Sequence, residues 1–394
     1  MQLRGRIVLK PGRNGPVRGG NPWIFSQAIA RFEPSDLAAG DGVEIHDADG
    51  DALGFGYYNP RTTIAVRVIA FDRAVAPEAI VGHRLDAAIA LRGKFITTDT
   101  NCYRLINGDG DGLSGVVVDR YGDALVMQLL TAGAERMRDE IVALLNARLK
   151  PEAIVERSAG AVRRQEGLDD RVGIVGGAPR GEVHVRENGV ALSVDLEHGQ
   201  KTGYFLDQRD NRRRLRELAG GARVLDAYCY AGGFSLAALA GGAREVVAID
   251  SSTRALEWAG RNLALNGETS SRCTLVHEDA FKYLAAEHGK FDLVVIDPPP
   301  LARSAGDVTR AGHLYIELNL LAMRAVAPGG RLMTFSCSAH FAGENFLRAV
   351  RIAQGRTRRN FRLIERLGPG PDHPVLLGHA EGEYLTGLLL ADLG

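Results

Sequence analysis

The sequence has few of the features that mark metal-binding or disulfide-stabilised proteins. Its 394 residues include four scattered cysteines, Cys102, Cys229, Cys273 and Cys337, and no C-x-x-C pair. A zinc or iron–sulfur site is therefore not expected, and neither is a disulfide framework. Lysine and arginine number 48, as do aspartate and glutamate, so the net charge is zero. The overall charge thus argues neither for nor against nucleic acid as a partner.

Long apolar runs are also missing. No run approaches the ~20 residues that a membrane-spanning helix needs, and the first residues lack the apolar segment of a signal peptide. The apolar share of 45% and the charged share of 24% are those of a globular protein. We therefore expect a cytoplasmic protein with free thiols and no membrane partner, whose length predicts two or three domains.

Neither G-x-G-x-x-G nor G-x-x-x-x-G-K-[ST] occurs, which argues against dinucleotide and triphosphate sites. Residues 223–235 instead join a short apolar run to Asp226, two glycines (Gly232 and Gly233) and an Ala/Leu-rich helix. A strand that ends in a glycine-rich bend and leads into a helix can bring backbone N–H groups close to a ligand. The same pattern alone is equally typical of an ordinary strand–helix turn.

Three further apolar runs follow, and an aspartate comes at the end of each or just after it. Residues 246–250 end in Asp250, Asp279 follows the next short run, and residues 291–297 end in Asp297. Four strands with acids at their carboxyl ends predict one ligand cleft at the edge of a parallel sheet.

This order resembles the class I S-adenosylmethionine-dependent methyltransferases, whose fold is α/β and Rossmann-like. The resemblance implies S-adenosylmethionine as cofactor, with Asp250 holding its ribose and Asp279 reading its adenine amino group. It implies cofactor contacts from a larger set: Gln208, Arg209, Asp226, Ala227, Tyr228, Gly232, Gly233, Phe234, Asp250, Ser251, Asp279, Ala280 and Asp297.

Residues 1–72 have dense turn signals and predict a small β-rich domain, with strands at 42–46 and 63–69. The stretches 17–25 and 54–60 resemble the PUA domain, a compact RNA-binding β-barrel. Four aromatic residues there can stack on bases or form the core, and we favour the core for the first two: Trp23, Phe25, Tyr57 and Tyr58. Five basic residues form either a solvated face or a nucleic-acid-binding edge: Arg4, Arg6, Lys10, Arg13 and Arg18.

Residues 73–192 predict a small α+β domain. We expect helices at 77–94 and 134–149, strands at 103–106, 115–120, 124–130 and 153–156, and a hairpin of strands 183–186 and 190–195 around Asn188-Gly189. The D-G-D-G run at 109–112 lacks the glutamate of an EF-hand, so we expect a turn without metal. Four arginines make this domain locally basic and offer a second RNA surface: Arg157, Arg163, Arg164 and Arg171.

Residues 193–394 contain the cofactor motifs and predict the methyltransferase domain. A polar segment at 199–212 precedes a helix that we expect to begin at Arg212. After the four strands we expect a helix at 314–327 closed by Pro328-Gly329-Gly330, a strand at 331–338 and a helix at 343–356. A closing pair of strands is predicted within 373–377 and 384–390.

Asp297-Pro298-Pro299 and Cys337 lie at the carboxyl ends of two neighbouring predicted strands and suggest the chemistry. Proline fixes φ and restrains the residue before it, so the carboxylate is rigidly held. Carbon 5 of a pyrimidine is a poor nucleophile, but a thiolate added to carbon 6 makes it an enamine that attacks a methyl sulfonium. The usual role of a lone cysteine is inert packing. The Thr-Phe-Ser-Cys-Ser context beside Asp-Pro-Pro favours Cys337 as nucleophile and Asp297 as the stabilising acid.

With these residues the chain resembles, over essentially its whole length, the RlmI family of 23S rRNA methyltransferases. The motifs that carry the resemblance are the PUA-like start and residues 201–209, 226–234, 297–299, 335–338 and 372–374. The family implies 5-methylcytosine formation in 23S rRNA and allows a homodimer. Pro300 stands where family members often have lysine, and a second cysteine that helps product release in many RNA cytosine-5 methyltransferases is absent there.

Two other functions fit the same motifs. A guanine methyltransferase of rRNA shares Asp-Pro-Pro and needs no cysteine, because a guanine nitrogen is already nucleophilic. A non-catalytic RNA-binding assembly factor can keep the fold without binding the cofactor. A small-molecule methyltransferase fits poorly, because two accessory domains with basic patches serve no purpose on a small substrate.

Overall fold

The computed structural model describes residues 1–178, 181–268, 271–302 and 304–393, in two compact units. The boundaries predicted near residues 72 and 192 remain predictions. Each unit is assembled from three stretches of chain: the first from Met1–Val185, Val194–Leu206 and Pro371–Gly382, and the second from Arg186–Ser193, Asp207–Gly370 and Glu383–Gly394.

A six-stranded sheet forms the amino-terminal part of the first unit, in the order β2-β6-β5-β4-β1-β3. Its strands are β1 (Leu3–Leu9), β2 (Trp23–Phe25), β3 (Ile29–Glu33), β4 (Gly42–His46), β5 (Ala52–Tyr58) and β6 (Ile64–Ala70), with a one-turn helix α1 at Gly15–Arg18. Strand pairing is antiparallel except between β1 and β4. The strand predicted at 42–46 is confirmed, and the strand predicted at 63–69 lies one residue later.

The aromatic residues of this sheet are only partly placed as predicted. Tyr57 is buried and donates a hydrogen bond to the Ser114 carbonyl at 2.6 Å, and Tyr58 is buried as well. Trp23 is half-buried, and its ring nitrogen donates to Asp109 at 3.3 Å. The core position predicted for Phe25 is wrong. Its side chain is 39% exposed, because it ends a three-residue edge strand in which the preceding residue points inward.

A five-stranded sheet, in the order β11-β10-β9-β8-β7, forms the rest of the first unit. The strands are β7 (Cys102–Asn107), β8 (Val116–Tyr121), β9 (Ala124–Leu129), β10 (Ala153–Ser158) and β11 (Arg171–Gly177), and the helices are α2 (Ile80–Phe95), α3 (Ala132–Arg136), α4 (Arg138–Leu149) and α5 (Ala161–Gln165). The predicted strands and long helices are confirmed, although the second helix is broken at Met137. Sequence reasoning missed α5 and the exposed edge strand β11.

The D-G-D-G run forms a 3₁₀ turn, Gly108–Asp111, that is fixed by internal contacts. The Asp111 carboxylate accepts two hydrogen bonds from the buried Arg92 guanidinium, at 2.5 and 2.8 Å, and one from the Asn107 backbone N–H. These bonds account for the acid without any ligand.

The Asn-Gly dipeptide makes the predicted hairpin between β12 (Glu182–Glu187) and β13 (Val190–Asp195). Asn188 and Gly189 have φ values of 50° and 79°, as a two-residue turn of the primed type requires. The tip, Arg186–Ser193, belongs to the second unit. There Glu187 accepts two hydrogen bonds from the buried Arg212 guanidinium, at 2.6 and 2.7 Å.

The second unit contains a seven-stranded sheet in the order β16-β15-β14-β17-β18-β20-β19. Six strands run in the same direction, and β20 runs antiparallel to both of its neighbours, β18 and β19. The strands are β14 (Arg223–Ala227), β15 (Glu245–Asp250), β16 (Cys273–His277), β17 (Phe291–Ile296), β18 (Val326–Ser336), β19 (Phe361–Leu367) and β20 (Thr386–Asp392), and the helices are α6 (Arg209–Leu218), α7 (Gly233–Ala240), α8 (Thr253–Leu265), α9 (Ala280–Ala286), α10 (Val308–Ala325) and α11 (Gly343–Thr357).

Four predictions for this unit are wrong in detail. Helix α10 begins at Val308, six residues before the predicted start at 314. Helix α6 begins at Arg209 rather than Arg212. Residues 328–330 do not close the helix but lie inside β18, which starts at Val326. Gly329 takes a φ of 74°, which lets the backbone bend within this strand. The strand predicted at 373–377 does not form. Its place beside β20 is taken by Phe361–Leu367, whose arginines and glutamate suit an exposed edge.

Candidate functional site

Parallel pairing brings the predicted site residues to one edge of the second unit's sheet. Asp226 pairs with Ala248, and Ala227 pairs with both Ile249 and Ile296. The carboxyl ends of β14, β15 and β17 therefore lie side by side, as predicted from the four strand-end acids. Ligands of open α/β sheets bind at this edge.

The segment after β14 is held in an unusual backbone conformation. Tyr228, Tyr230 and Gly232 have φ values of 69°, 47° and 79°, in the left-handed region that residues with side chains rarely adopt. Hydrogen bonds impose this shape: Cys229 N–H donates to the Ile249 carbonyl and Tyr230 N–H to Asp250 Oδ2, both at 2.9 Å. Strained backbone of this kind clusters at ligand sites.

Helix α7 starts at Gly233, directly after this segment. Gly232 packs against the next helix so closely that an added Cβ would lie 3.2 Å from the Ala259 Cβ. The Phe234 side chain is buried and stacks on Phe335, with ring centroids 5.7 Å apart. The Phe234 ring is thus part of the core, and a contact of this residue with the cofactor remains a prediction.

Asp226 is a buried carboxylate with one oxygen available. Its Oδ2 accepts the Ser235 backbone N–H at 2.9 Å and the Ser235 hydroxyl at 2.6 Å. Its Oδ1 is buried and has no hydrogen-bond partner among the described residues. Burial raises the pKa of Asp226 to about 6, and the two bonds from Ser235 oppose that rise. An incompletely bonded buried carboxylate favours a cationic ligand group.

Asp250 joins the two loops that border the site. Its Oδ1 accepts the Ser252 N–H and its Oδ2 the Tyr230 N–H, each at 2.9 Å. A carboxylate has about four acceptor positions, so both oxygens can still accept ligand hydroxyls. The neighbouring Ser251 contributes its carbonyl to a 2.9 Å hydrogen bond with His277.

Asp279 is the N-cap of α9, and Ala280 is the helix's buried first residue. Asp279 Oδ1 accepts the Lys282 N–H at 3.0 Å, and the side chain is exposed. Burial raises the pKa of the Tyr228 hydroxyl, and the charge of Asp279 adds to that rise. The Asp279 carboxylate therefore lies close enough to the strained segment to act on it electrostatically, and its contact with adenine remains a prediction.

Gln208 and Arg209 lie just before and at the start of α6, and both are buried. Gln208 Oε1 accepts from Asn211 at 2.5 Å, and Arg209 pairs with Asp210 at 3.3 Å. These contacts stabilise the start of the helix. A role of the two side chains in cofactor binding remains a prediction.

The two residues predicted for chemistry follow β17 and β18, which are neighbours in the sheet. The Cys337 Sγ lies 3.4 Å from the carbonyl oxygen of Pro298, the residue after Asp297. Asp297 is held in turn through its backbone N–H, 3.4 Å from the Ala227 carbonyl. Cys102, Cys229 and Cys273 are buried, whereas Cys337 is partly exposed. A reactive cysteine requires such access.

Sequence reasoning missed the polar residues that surround Cys337. The hydroxyls of Ser336 and Ser338 are buried and lie 2.9 and 3.1 Å from the buried hydroxyl of Tyr315, which is distant in sequence. The serines were visible as neighbours of the cysteine. Tyr315 looked like an ordinary core residue of a helix, and no local signal marks its hydroxyl.

Two family models match this chain. Residues 155–385 match the S-adenosylmethionine-dependent methyltransferase model, and residues 7–71 match a PUA-like domain. The predicted fold and the predicted cofactor are thereby confirmed. No helix in the described part of the chain is long and apolar enough to cross a membrane.

Several known proteins are similar to this chain over nearly its full length. A protein of Photobacterium profundum named ribosomal RNA large subunit methyltransferase I is 41% identical over 97% of this chain and 98% of its own. Its namesake from Alteromonas mediterranea is 37% identical over 98% of both chains. A solved structure described as a SAM-dependent methyltransferase from Streptococcus mutans covers 99% of this chain and all of its own, with 22% identity and a TM-score of 0.83, and a methyltransferase complexed with SAH gives 0.84 at the same identity and coverage. The chain therefore belongs to the S-adenosylmethionine-dependent methyltransferases, in the family of ribosomal RNA large subunit methyltransferase I.

Proposed function

We propose that this protein forms 5-methylcytosine in large-subunit (23S) rRNA through a covalent adduct at Cys337. The names of its relatives point to large-subunit rRNA as the substrate. The observation that supports the choice of atom is the partly exposed thiol beside the Asp297-Pro298 backbone, at the carboxyl ends of two adjacent strands.

The proposed reaction needs a nucleophile because carbon 5 of cytosine does not attack unaided. The Cys337 thiolate forms a bond to carbon 6, and the protonated Asp297 carboxyl gives its proton to ring nitrogen 3, where negative charge would otherwise build up. Bound S-adenosylmethionine supplies an electrophilic methyl group, which carbon 5 takes up as S-adenosylhomocysteine leaves. A base then removes the proton from carbon 5, the bond between carbon 6 and sulfur breaks to return the thiolate, and ring nitrogen 3 gives its proton back to Asp297.

The residues at the carboxyl ends of β14 and β15 carry charged and hydrogen-bonding groups that suit S-adenosylmethionine. The unpartnered Asp226 oxygen suits the cationic amino acid part, and Asp250 has acceptor capacity for two ribose hydroxyls. The backbone of the 228–232 segment and the start of α7 close the site around a polar ligand. These residues bind and orient the methyl donor. The part of the edge that carries Asp297-Pro298-Pro299 is then free to take up the cytosine ring.

The first unit provides basic groups for RNA. Arg6 and Arg18 form ion pairs with Glu33 and Asp47, so their charge is largely neutralised. Lys10 and Arg13 are exposed and have no ion-pair partner within the described residues. Two unneutralised cations on one turn suit contact with a phosphate backbone.

The test is Cys337→Ala, assayed by methyl incorporation into 23S rRNA from cells that lack this gene. We expect the rate to fall by at least ~10⁴-fold, since removal of a covalent nucleophile leaves only binding and polar stabilisation. Cys102→Ala removes a buried sulfur of the first unit and should leave the rate unchanged. Bisulfite mapping should show one cytosine that is protected by the wild type alone.

The results that contradict the proposal are distinct. Full activity of Cys337→Ala would exclude the thiolate mechanism and favour methylation of a guanine nitrogen. An unchanged bisulfite map, together with no heat of cofactor binding by calorimetry, would favour a non-catalytic RNA-binding factor.

A further inference from the structure

A buried chain of hydroxyl groups connects the two loops that carry Asp297 and Cys337. Tyr315 Oη, on α10, lies 2.9 Å from Ser336 Oγ and 3.1 Å from Ser338 Oγ. Ser336 and Ser338 are the residues on either side of Cys337. Ser338 Oγ also accepts the backbone N–H of Ala302, at 3.3 Å, in the loop after the Asp-Pro-Pro turn.

Each hydroxyl of this chain has several hydrogen-bond partners. The Ser336 hydroxyl lies 2.9 Å from both the Tyr315 hydroxyl and the Phe341 carbonyl, and it can donate to either of them. The backbone N–H groups of Ser338 and Ala302, which can only donate, bind Ser336 Oγ and Ser338 Oγ at 3.4 and 3.3 Å. Each of the three hydroxyls therefore has at least two partners.

Such a network holds its atoms tightly because it is both buried and satisfied. Tyr315 and Ser336 are fully buried, and Ser338 is 1% exposed. A hydroxyl with no partner in that environment would be strongly disfavoured, so displacement of any member disrupts the others. The backbone of Cys337 is thus restrained on both sides, while its sulfur meets the Pro298 carbonyl at 3.4 Å.

The ring of Tyr315 is held independently of its hydroxyl. It stacks on Phe341 with centroids 5.1 Å apart and meets Phe346 edge to face at 5.3 Å. Loss of the oxygen atom alone should therefore leave the packing of α10 intact. This separates the contribution of the hydrogen bonds from that of the core.

We propose that the Tyr315 hydroxyl is a positioning group for methyl transfer, which sets the Cys337 sulfur relative to the Asp297-Pro298-Pro299 turn. The proposal rests on the proposed role of Cys337 as nucleophile. Tyr315 touches neither the base nor the cofactor in this scheme. It acts by fixing two loops that must meet the same pyrimidine ring from different strands.

The test is Tyr315→Phe, compared with Tyr283→Phe as matched control. Tyr283 is a half-buried tyrosine of α9 that packs against the same core, and its hydroxyl makes no hydrogen bond within the described part of the chain. We expect the single-turnover rate of methyl transfer to fall ~10–100-fold in Tyr315→Phe, since misplacement by about 1 Å costs up to ~100-fold. The cofactor Kd and the KM for RNA should stay within about twofold, and Tyr283→Phe should match the wild type.

A second readout reports on the thiol itself. Because Cys337 is partly exposed and the other cysteines are buried, the rate of alkylation by iodoacetamide measures its position and access. Tyr315→Phe should change that rate and its pH profile, and Tyr283→Phe should not. Ser338→Ala breaks the same chain at its link to Ala302, so it should act alike, and the double variant should be no slower than the slower single one.

The outcomes separate this inference from the proposed function. Wild-type rates of transfer and alkylation in both Tyr315→Phe and Ser338→Ala would overturn the positioning role while Cys337→Ala stayed inactive. Additive losses in the double variant would also overturn it. Full activity of Cys337→Ala would instead remove the thiolate mechanism, and the role of Tyr315 in it.

Discussion

The carboxyl ends of β14, β15, β17 and β18 form one edge of the second unit's sheet, and the two halves of this edge are held in place by different contacts. In the half formed by the ends of β14 and β15, backbone conformation and carboxylates dominate. Tyr228, Tyr230 and Gly232 adopt left-handed φ values, and Asp250 accepts backbone N–H groups from both loops. In the half formed by the ends of β17 and β18, neutral side-chain hydroxyls dominate, with Tyr315 at their centre.

This difference matches what the proposed function requires of each half. A cofactor with a cationic amino acid part and a ribose is best met by fixed carboxylates and N–H groups, which a bent backbone provides at small distance. A reacting base must be met by groups whose separation is set accurately, which a packed network of hydrogen bonds provides. The first half therefore contains charged carboxylates, whereas the hydroxyl network of the second half carries no charge.

The largest expected effect concerns the charge of Asp226. Its pKa of about 6, raised from 3.8 by burial, means that ionised Asp226 disfavours folding. Below about pH 4 the Asp226 carboxyl is protonated in both the folded and the unfolded protein. As the pH rises to about 6, the unfolded protein ionises first, so the free energy of unfolding falls. Above pH 6 this loss is complete and amounts to ~3 kcal/mol. Asp226→Asn removes this loss, so its advantage over the wild type should grow by ~2 kcal/mol between about pH 4.5 and pH 8.

Urea unfolding of the two proteins without cofactor, across that pH range, measures this advantage. Ser235→Ala is the companion variant: it removes the hydroxyl that donates to Asp226 at 2.6 Å and should lower stability most where the carboxylate is ionised. A difference between Asp226→Asn and the wild type that does not change with pH would show that the cofactor half holds no unfavourable charge.

The next effect concerns the link that Asp250 makes between the two loops of the cofactor half. Asp250→Ala removes the acceptor for Tyr230 N–H and Ser252 N–H, so the strained segment should relax and S-adenosylmethionine should bind ~30-fold more weakly, about 2 kcal/mol. Calorimetry measures the affinity for the cofactor. Alkylation of Cys337 should proceed at the wild-type rate, because the half at the ends of β17 and β18 is held by different contacts.

Asp292→Ala is the matched control for the loss of a carboxylate. Asp292 lies near the start of β17, at the amino ends of the strands and thus away from the carboxyl ends that carry Asp250. There it accepts the Arg223 N–H at 2.7 Å. Its loss should leave the affinity for the cofactor unchanged. Slower alkylation of Cys337 in Asp250→Ala would show that the two halves are coupled, which would contradict their being held by separate contacts.

The same contrast explains what the sequence could reveal. Features set by neighbouring residues were predictable: the strand-end acids, the glycine bend and the Asn188-Gly189 turn each carry a local signal. Strand β19 was missed because Arg362 and Glu365 interrupt its apolar alternation at an exposed edge. The role of Tyr315 could not be predicted, because it depends on contacts with residues 21 and 23 positions later that only the packed fold creates.

The smallest expected effect tests the backbone of the cofactor half through one methyl group. Gly232 has a φ of 79°, and an added Cβ would lie 3.2 Å from the Ala259 Cβ. Gly232→Ala should therefore destabilise the protein by ~1–2 kcal/mol and weaken cofactor binding, because the left-handed conformation is strained for alanine. Gly355→Ala is the control: it lies exposed within α11 with nothing within 4 Å of the new atom, so it should stabilise by ~0.5–1 kcal/mol and leave affinity unchanged. Melting temperatures that shift in opposite directions would support a backbone-held cofactor half, and a stabilising Gly232→Ala would refute it.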